Sequence, residues 1–229
     1  MNGQLGRLLR AVGPDHDARQ TAMVDHAVAA GFPTVGPDVG GVLQLIARLT
    51  AARAVFEFGS GFGYSASWFA RGMRGGRVVL TEYDEDELAL AREFLGGDGD
   101  AAYDVDFVFE PGDAMATVER YDGPFDIVLL DHEGARYAPA LARVREKLRP
   151  GSVVVADNVL TGPVDTEALV VMLGEDADAD AYRRTASWDV DTTTEGIATY
   201  LGLVRDDPRF ETVVLPVGEG LAVSVRVEE

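Results

Sequence analysis

The sequence contains no cysteine among its 229 residues. This absence excludes disulfide frameworks, thiolate zinc sites and cysteine nucleophiles. The sequence also lacks an apolar run near the ~20 residues that a membrane-spanning helix needs. The segment Met1–Gln20 carries three arginines and no apolar core of the kind that a signal peptide contains, so we expect a cytoplasmic protein.

Basic residues are few, and lysine is nearly absent. There are 20 basic and 39 acidic residues, a net charge of -19, and Lys147 is the only lysine. Such a surface repels phosphate backbones and anionic lipids, so neither nucleic acid nor a membrane is an expected partner. Concentrated salt screens the self-repulsion of an acidic chain. We therefore hypothesise a halophilic source, which a folded, monodisperse protein in dilute buffer would contradict.

Short apolar segments alternate with helical patterns, which is typical of a largely parallel sheet covered by helices. The predicted strands are Ala54–Phe58, Val78–Thr81, Val105–Phe109, Phe125–Leu130, Val153–Ala156, Glu211–Leu215 and Leu221–Val227. The predicted helices are Asp17–Ala30, Ser65–Arg71, Asp84–Leu95, Ala114–Glu119, Pro139–Leu148 and Glu195–Val204, with a further apolar helix face at Val42, Leu45, Ile46 and Leu49. The short joint Pro216–Gly220 between the last two strands predicts an antiparallel hairpin.

We therefore expect one α/β domain over residues 1–229, with a doubly wound, Rossmann-like, seven-stranded and mostly parallel sheet that ends in an antiparallel hairpin. Residues 1–40 would form a helical cap. Residues 160–193 form an acidic insertion or lid with a partly helical pattern.

A glycine-rich turn follows the first predicted strand. Gly59, Gly61 and Gly63 permit a tight turn and a close approach of ligand to backbone. Glu82 ends the next strand, 19 residues after Gly63, where a carboxylate reaches ribose hydroxyls. Glu57 would oppose a pyrophosphate but could accept from an ammonium. The pattern therefore favours S-adenosylmethionine over NAD, and an ordinary glycine turn beside a surface glutamate is the structural alternative.

Oxygen-bearing side chains end two later strands. Asp131 follows the fourth predicted strand, and Asp157 and Asn158 follow the fifth. Neighbouring strands lie about 4.8 Å apart, so these side chains can meet at one edge of the sheet. Two carboxylates and an amide suit Mg²⁺, with Ca²⁺ or Mn²⁺ as alternatives. The same residue types also cap helices and loops, which leaves a structural explanation open.

From about Thr34 to the C-terminus, apart from the insertion, the chain resembles the class I S-adenosylmethionine-dependent O-methyltransferases, and among them the metal-dependent catechol and caffeoyl-CoA O-methyltransferases. The resemblance implies that the cofactor is held by Glu57, Gly59, Gly61, Gly63, Tyr64, Ser65, Glu82, Tyr83, Asp113, Ala114, Asp131 and His132. In that arrangement Tyr64 and Ser65 flank the methionine carboxylate, Tyr83 covers the adenine, and Asp113 and His132 border it. The resemblance likewise implies a divalent metal on Asp131, Asp157 and Asn158.

One position departs from the family pattern. The related enzymes carry a catalytic lysine three residues after the first metal aspartate, and this chain has Gly134 there. Lys147 is expected to be a solvated surface residue. His132, Glu133 and Arg136 are local candidates for a base, and no catalytic residue is assigned.

The resemblance implies a small hydroxylated, catechol-like acceptor that chelates the metal. Residues 1–40 and the insertion would wall the acceptor pocket, with Trp188, Tyr182 and Trp68 as candidate aromatic walls unless Trp68 is in the core. His16 and His26 are expected to serve solvation or packing. The family contains monomers and dimers, so a homodimer is one possible assembly.

Two other functions remain compatible with these patterns. An NAD(P)-dependent oxidoreductase would share the glycine turn and Glu82, but it predicts a second mononucleotide half with parallel later strands. A catalytically inactive S-adenosylmethionine-binding protein predicts cofactor affinity without metal-dependent turnover.

Overall fold

The computed structural model describes residues 3–96, 103–174 and 191–227. These residues contain a sheet of seven strands: β1 (Ala54–Phe58), β2 (Arg77–Glu82), β3 (Asp106–Pro111), β4 (Phe125–Leu130), β5 (Leu148–Ala156), β6 (Phe210–Leu215) and β7 (Leu221–Arg226). The strand order is β3-β2-β1-β4-β5-β7-β6. Strands β1 to β5 are parallel, and β7 runs antiparallel to both β5 and β6. The predicted fold class is confirmed, and the antiparallel hairpin contradicts the parallel later strands that the oxidoreductase alternative requires.

The described helices are α1 (Gly3–Val12), α2 (Ala18–Ala30), α3 (Gly36–Leu49), α4 (Tyr64–Gly72), α5 (Glu85–Leu95), α6 (Ala114–Thr117), α7 (Tyr137–Val144), α8 (Thr166–Leu173) and α9 (Thr192–Asp206). Aspartates cap the N-termini of five of them: Asp17, Asp84, Asp113, Asp165 and Asp191. A carboxylate that accepts from free N–H groups also complements the positive end of the helix dipole. None of the described helices has the length and apolar character that a bilayer crossing requires.

The alternation of side chains along the strands divides the core into two layers. Val55 of β1 belongs to the layer that contains α2 to α5, whereas Phe56 and Phe58 belong to the layer with α6 to α9. Trp68 is fully buried in the first layer, so it is a core residue and not an acceptor wall. Because β1 and β4 are buried on both faces, they are mostly apolar apart from Glu57 and Asp126, which is typical of central parallel strands.

The predicted apolar face of α3 is only half right: Val42 and Ile46 pack against the core, but Leu45 and Leu49 do not. Leu45 and Leu49 are 54% and 76% exposed, and the helix instead buries Val39, Gly40, Leu43 and Ala47. The reason is the close packing of α3 on α4, because a Cβ on Gly40 would overlap the Trp68 ring. Small residues therefore decide which face of the helix turns inward.

Two expectations near the fifth strand are also wrong. Helix α7 ends at Val144, a 3-10 turn (Arg145–Lys147) follows, and Leu148 already belongs to β5. Lys147 is not a solvated surface residue: its side chain is 17% exposed, and its ammonium donates to the carbonyls of Val118 and Tyr121 at 2.9 and 2.6 Å. It therefore closes the turn that follows α6.

Two helical segments fall within the predicted insertion. They are α8 and the first residues of α9, so the helix predicted to begin at Glu195 starts at Thr192. Residues 175–190, with the candidate walls Tyr182 and Trp188, lie outside the described residues.

Candidate functional site

The glycine turn after β1 lies at the carboxyl edge of the sheet. Gly59 and Gly63 have φ angles of 79° and 86°, a region that disfavours residues with a Cβ. A Cβ on Gly59 would overlap the backbone of Asp131, and one on Gly63 would lie 2.6 Å from Leu95 Cδ1. The turn is therefore pressed against the end of β4 on one side and against α5 on the other.

Glu82 links this turn to the end of β2. Its Oε2 accepts from the backbone N–H of Gly61 at 2.8 Å, and its Oε1 accepts from Tyr83 and Asp84 at 2.8 and 3.1 Å. These bonds fix the carboxylate at the end of β2, which is the position at which the sequence spacing predicts a ribose-binding acid.

Two adjoining cavities open at this edge. The larger, of about 400 Å³, is lined by Phe32, Pro33, Thr34, Val35, Gly59, Ser60, Gly61, Phe62, Tyr64, Ser65, Glu82, Asp131, Asp157, Asn158, Gly218 and Glu219. The smaller, of about 200 Å³, is lined by Gly59, Thr81, Glu82, Tyr83, Gly112, Asp113, Ala114, Asp131, His132, Glu133 and Arg136. They share Gly59, Glu82 and Asp131, so one elongated ligand can occupy both.

Glu57 lies beneath the glycine turn and is fully buried. Neither of its carboxylate oxygens has a hydrogen-bond partner among the described residues. Burial raises the pKa of Glu57 to about 8, the nearby Ser65 hydroxyl opposes this shift, and the charge of Asp131 adds to it. A buried acid in this state favours the approach of a cation.

Asp131, Asp157 and Asn158 meet in the larger cavity, as their positions at the ends of β4 and β5 predicted. Burial raises the pKa of Asp131, and the charges of Asp157, Glu82 and Glu219 raise it further. Burial also raises the pKa of Asp157. The described residues hold no group of three or more His, Cys, Asp or Glu side chains arranged for a metal ion.

Glu219 is a site residue that the sequence reasoning missed. It lies in the turn between β6 and β7, and its Oε2 accepts from Asn158 Nδ2 at 3.0 Å. Its backbone carbonyl accepts from Leu160 and Thr161 at 3.0 and 2.9 Å, so the hairpin is tied to the loop that follows β5. A Cβ on Gly162 would overlap the Glu219 carboxylate. The available signal was an acid between two glycines in this turn.

His132 belongs to the smaller cavity. Its ring stacks on Tyr137 with centroids 5.3 Å apart and packs against Phe58 at 5.4 Å. Both ring nitrogens are buried and lack a partner among the described residues. Burial lowers the pKa of His132 to about 4, and the positive charge of Arg136 contributes. The ring is therefore neutral near pH 7 and offers one donor and one acceptor.

The segment before α3 covers the glycine turn. A Cβ on Gly61 would lie 3.0 Å from the ring of Phe32, and Phe32 packs edge-on against Phe62.

His16 Nε2 lies 2.7 Å from the hydroxyl of Tyr64, which lines the larger cavity. His16 therefore fixes a site residue, which is more than the packing role expected for it. His26 packs against Phe62 and Phe94, as expected.

Gly134 is buried under α9. A Cβ at this position would lie 2.9 Å from both Ile197 Cδ1 and Thr193 Cγ2. Gly196 of α9 packs so closely on the same loop that its Cβ would overlap Ala135 Cα and lie 2.6 Å from the Gly134 carbonyl oxygen. Residue 134 therefore contacts a helix and does not line either cavity.

Most of the predicted site residues border one of the two cavities. The exceptions are Glu57, which lies below the turn, and Gly63, which packs on α5. The sequence reasoning did not identify Phe32, Pro33, Gly218 or Glu219 as site residues, and they reach the larger cavity from the segment before α3 and from the terminal hairpin.

Comparison with known proteins gives a consistent result. Residues 19–227 match the profile of the O-methyltransferase family. A catechol O-methyltransferase of Niastella koreensis is 32% identical over 156 residues, which cover 65% of this chain and 69% of that protein. An O-methyltransferase of Bacillus cereus, solved in complex with SAH, has a TM-score of 0.77 and 24% identity over 97% of both chains. TomG, an O-methyltransferase of Streptomyces achromogenes involved in tomaymycin synthesis and solved with SAM, has a TM-score of 0.78 and 22% identity over 98% of this chain and 96% of its own.

Proposed function

The chain belongs to the O-methyltransferase family, and we propose that it transfers a methyl group from S-adenosylmethionine to a hydroxyl of a small, catechol-like acceptor with a divalent metal ion. The observation that carries this proposal is the pair of adjoining cavities, which meet at Gly59, Glu82 and Asp131. The smaller has the size and polarity for a nucleobase, and the larger contains the carboxylates.

The residues around the cavities fit S-adenosylmethionine. The carboxylate of Glu57 has no hydrogen-bond partner among the described residues, so it would accept from the ammonium of the ligand. The carboxylate of Glu82 would accept from the ribose hydroxyls. Tyr64 and Ser65 begin α4, whose N-terminal N–H groups favour a carboxylate. The neutral ring of His132 would form a hydrogen bond with the edge of the adenine. When bound, the cofactor supplies an electrophilic methyl group on a sulfonium.

The donor set at the ends of β4 and β5 fits a hard divalent ion such as Mg²⁺, Ca²⁺ or Mn²⁺. Asp157 is a buried carboxylate and Asp131 a half-buried one, and each has a raised pKa. A divalent cation between such groups would relieve their repulsion. Asn158 would add an amide oxygen, with its Nδ2 held by Glu219. When bound, the ion lowers the pKa of an acceptor hydroxyl.

The acceptor would enter the larger cavity beside these oxygens. Phe32, Pro33 and Val35 give that cavity an apolar wall, which suits an aromatic ring. Because Gly134 has no side chain, no base is proposed at that position. The proton that leaves the acceptor hydroxyl must pass to one of the carboxylates or to water.

Isothermal titration tests the proposal. S-Adenosylmethionine is titrated into the protein in high salt, and a catechol is then added with Mg²⁺ or with EDTA. We expect micromolar cofactor binding, metal-dependent catechol binding and a methylated catechol by mass spectrometry. Cofactor binding followed by catechol binding that does not respond to metal would restrict Asp131, Asp157 and Asn158 to structural roles, and transfer to catechol without metal would refute the chelation.

The setting of the enzyme is also proposed. The net charge of -19 supports a salt-rich cytoplasm and a small-molecule acceptor over nucleic acid or membrane partners. We propose a single catalytic unit over residues 1–229, with residues 1–40 as a cap and residues 160–193 as a lid. We also propose that the enzyme is a homodimer, which light scattering at several salt concentrations would test.

A further inference from the structure

Arg136 joins two side chains that border the smaller cavity. Its Nη1 donates to the Tyr83 hydroxyl at 3.0 Å, and its Nη2 donates to both carboxylate oxygens of Asp113 at 2.9 Å. Tyr83 follows β2, Asp113 follows β3 and Arg136 lies in the loop after β4. One guanidinium therefore connects the segments that follow three strands around a single cavity.

Asp113 is the fixed end of this connection. Its Oδ1 also accepts from the backbone N–H of Met115 at 2.9 Å, which caps α6. Burial opposes ionisation of Asp113, but the bonds from Arg136 and Met115 lower its pKa overall. A charged carboxylate that is already held by a helix N-terminus is a fixed acceptor for an arginine. The remaining N–H groups of Arg136 consequently point in defined directions.

Tyr83 is the exposed end. The residue is 60% exposed, so packing alone does not select one rotamer of its side chain. A ligand that needs this ring over its base would have to order it on binding, which reduces affinity. The hydrogen bond from Arg136 supplies that order before the ligand arrives.

This inference rests on the cofactor site proposed above. We propose that Arg136 is a positioning residue for the adenine pocket: anchored by Asp113, it holds the Tyr83 ring over the smaller cavity. Arg136 itself carries no chemical step. Its effect is to preorganise the pocket, and it acts through Tyr83.

A double-mutant cycle tests the proposal. S-Adenosylhomocysteine is titrated into the wild type, Arg136→Met, Tyr83→Phe and the double variant. Arg136→Met and Tyr83→Phe both remove the hydrogen bond between these two side chains, and each should raise Kd roughly fivefold. The double variant should also bind roughly fivefold more weakly, whereas independent effects would multiply to about 25-fold. In turnover, the KM for S-adenosylmethionine should rise by the same factor at constant kcat, because a remote contact is equal in ground and transition states.

Arg143→Met is the matched control. Arg143 lies on α7, pairs with Glu119 at 2.6 Å and lines neither of the two cavities, so its loss should leave Kd unchanged. Thermal unfolding of every variant verifies the fold. Wild-type affinity in Arg136→Met, or multiplying effects in the double variant, would refute the positioning role of Arg136 but not the cofactor site. A wild-type protein that binds no S-adenosylhomocysteine would refute the proposed function together with that role.

Discussion

Replacing Glu57 with glutamine should stabilise the free protein, and the gain should depend on pH. The pKa of this buried acid is about 8 in the folded state, against 4.5 for an ordinary glutamate. Between these values the folded state binds a proton that the unfolded state releases. Stability therefore falls as pH rises through this window, by about 1.4 kcal/mol per pH unit. The accumulated loss is under ~1 kcal/mol at pH 5 and about 3 kcal/mol at pH 7.

Glutamine has nearly the shape of the protonated acid but does not ionise, so it isolates this contribution. Urea unfolding of both proteins at pH 5, 6, 7 and 8 measures the difference in the free energy of unfolding. We expect Glu57→Gln to be more stable by about 3 kcal/mol at pH 7 and by much less at pH 5. A difference that is constant with pH would show that Glu57 does not titrate in this range, and the reasoning would be refuted.

The same shift predicts proton release on ligand binding. With a pKa of about 8, roughly nine-tenths of Glu57 is protonated at pH 7 in the free protein. An ammonium beside the carboxylate favours its charged form, so the proton leaves as the ligand binds. The dependence of binding enthalpy on the ionisation heat of the buffer counts these protons. We expect close to one more proton released by the wild type than by Glu57→Gln, and equal release would exclude an ammonium at Glu57.

Two further changes have direct structural expectations. Gly196→Ala should cost roughly 1–3 kcal/mol of stability, because its Cβ would overlap Ala135 Cα, whereas Gly202→Ala in the same helix has open space and should gain about 0.5–1 kcal/mol, both measured by urea unfolding. Equal effects would contradict close packing of α9. Glu219→Ala should weaken Mg²⁺ binding by at least about tenfold, because the Asn158 amide loses its acceptor, while Glu219→Gln, which can still accept, should keep most of the affinity in a calorimetric titration. Unchanged Mg²⁺ affinity in Glu219→Ala would show that this contact does not orient Asn158.

The features that the sequence predicts well depend on short-range patterns. Strands β1 and β4 are recognisable because both of their faces are buried, which produces mostly apolar segments with one acid each. Parallel strands bring their carboxyl ends to one edge, so Asp131 and Asp157 could be placed together without any knowledge of their contacts. The spacing from Gly63 to Glu82 follows from the same geometry.

The features that it misses depend on contacts between distant segments. The apolar stripe at Leu45 and Leu49 satisfies helical periodicity, but Gly40 allows α3 to approach Trp68 so closely that the opposite face is buried. Glu219 is distant from Asn158 in sequence, and only the pairing of β7 with β5 brings the hairpin turn to that loop. A periodicity argument has no access to either contact.

Gly134 shows how the same kind of contact bears on chemistry. The loop at Gly134 packs directly on α9, because Gly196 lets the helix approach it closely. The larger cavity is lined by the carboxylates of Glu82, Asp131, Asp157 and Glu219 and, within the described parts of the chain, by no Lys, Arg or His side chain.

An acidic cavity of this kind costs stability in the free protein. Burial raises the pKa of Asp131 and of Asp157, so each holds its proton at low pH and ionises beside its neighbour as pH rises. If the proposed function is right, the compensating positive charge would arrive with the ligands: an ammonium and a sulfonium on the cofactor, and a divalent ion at the aspartates. A ligand that binds only the native state raises the free energy of unfolding by RT ln(1 + [L]/Kd). Because cations relieve repulsion that grows with pH, the rise in Tm on adding cofactor and Mg²⁺ should be larger at pH 8 than at pH 6, and an equal rise would mean that these carboxylates are not what the cations neutralise.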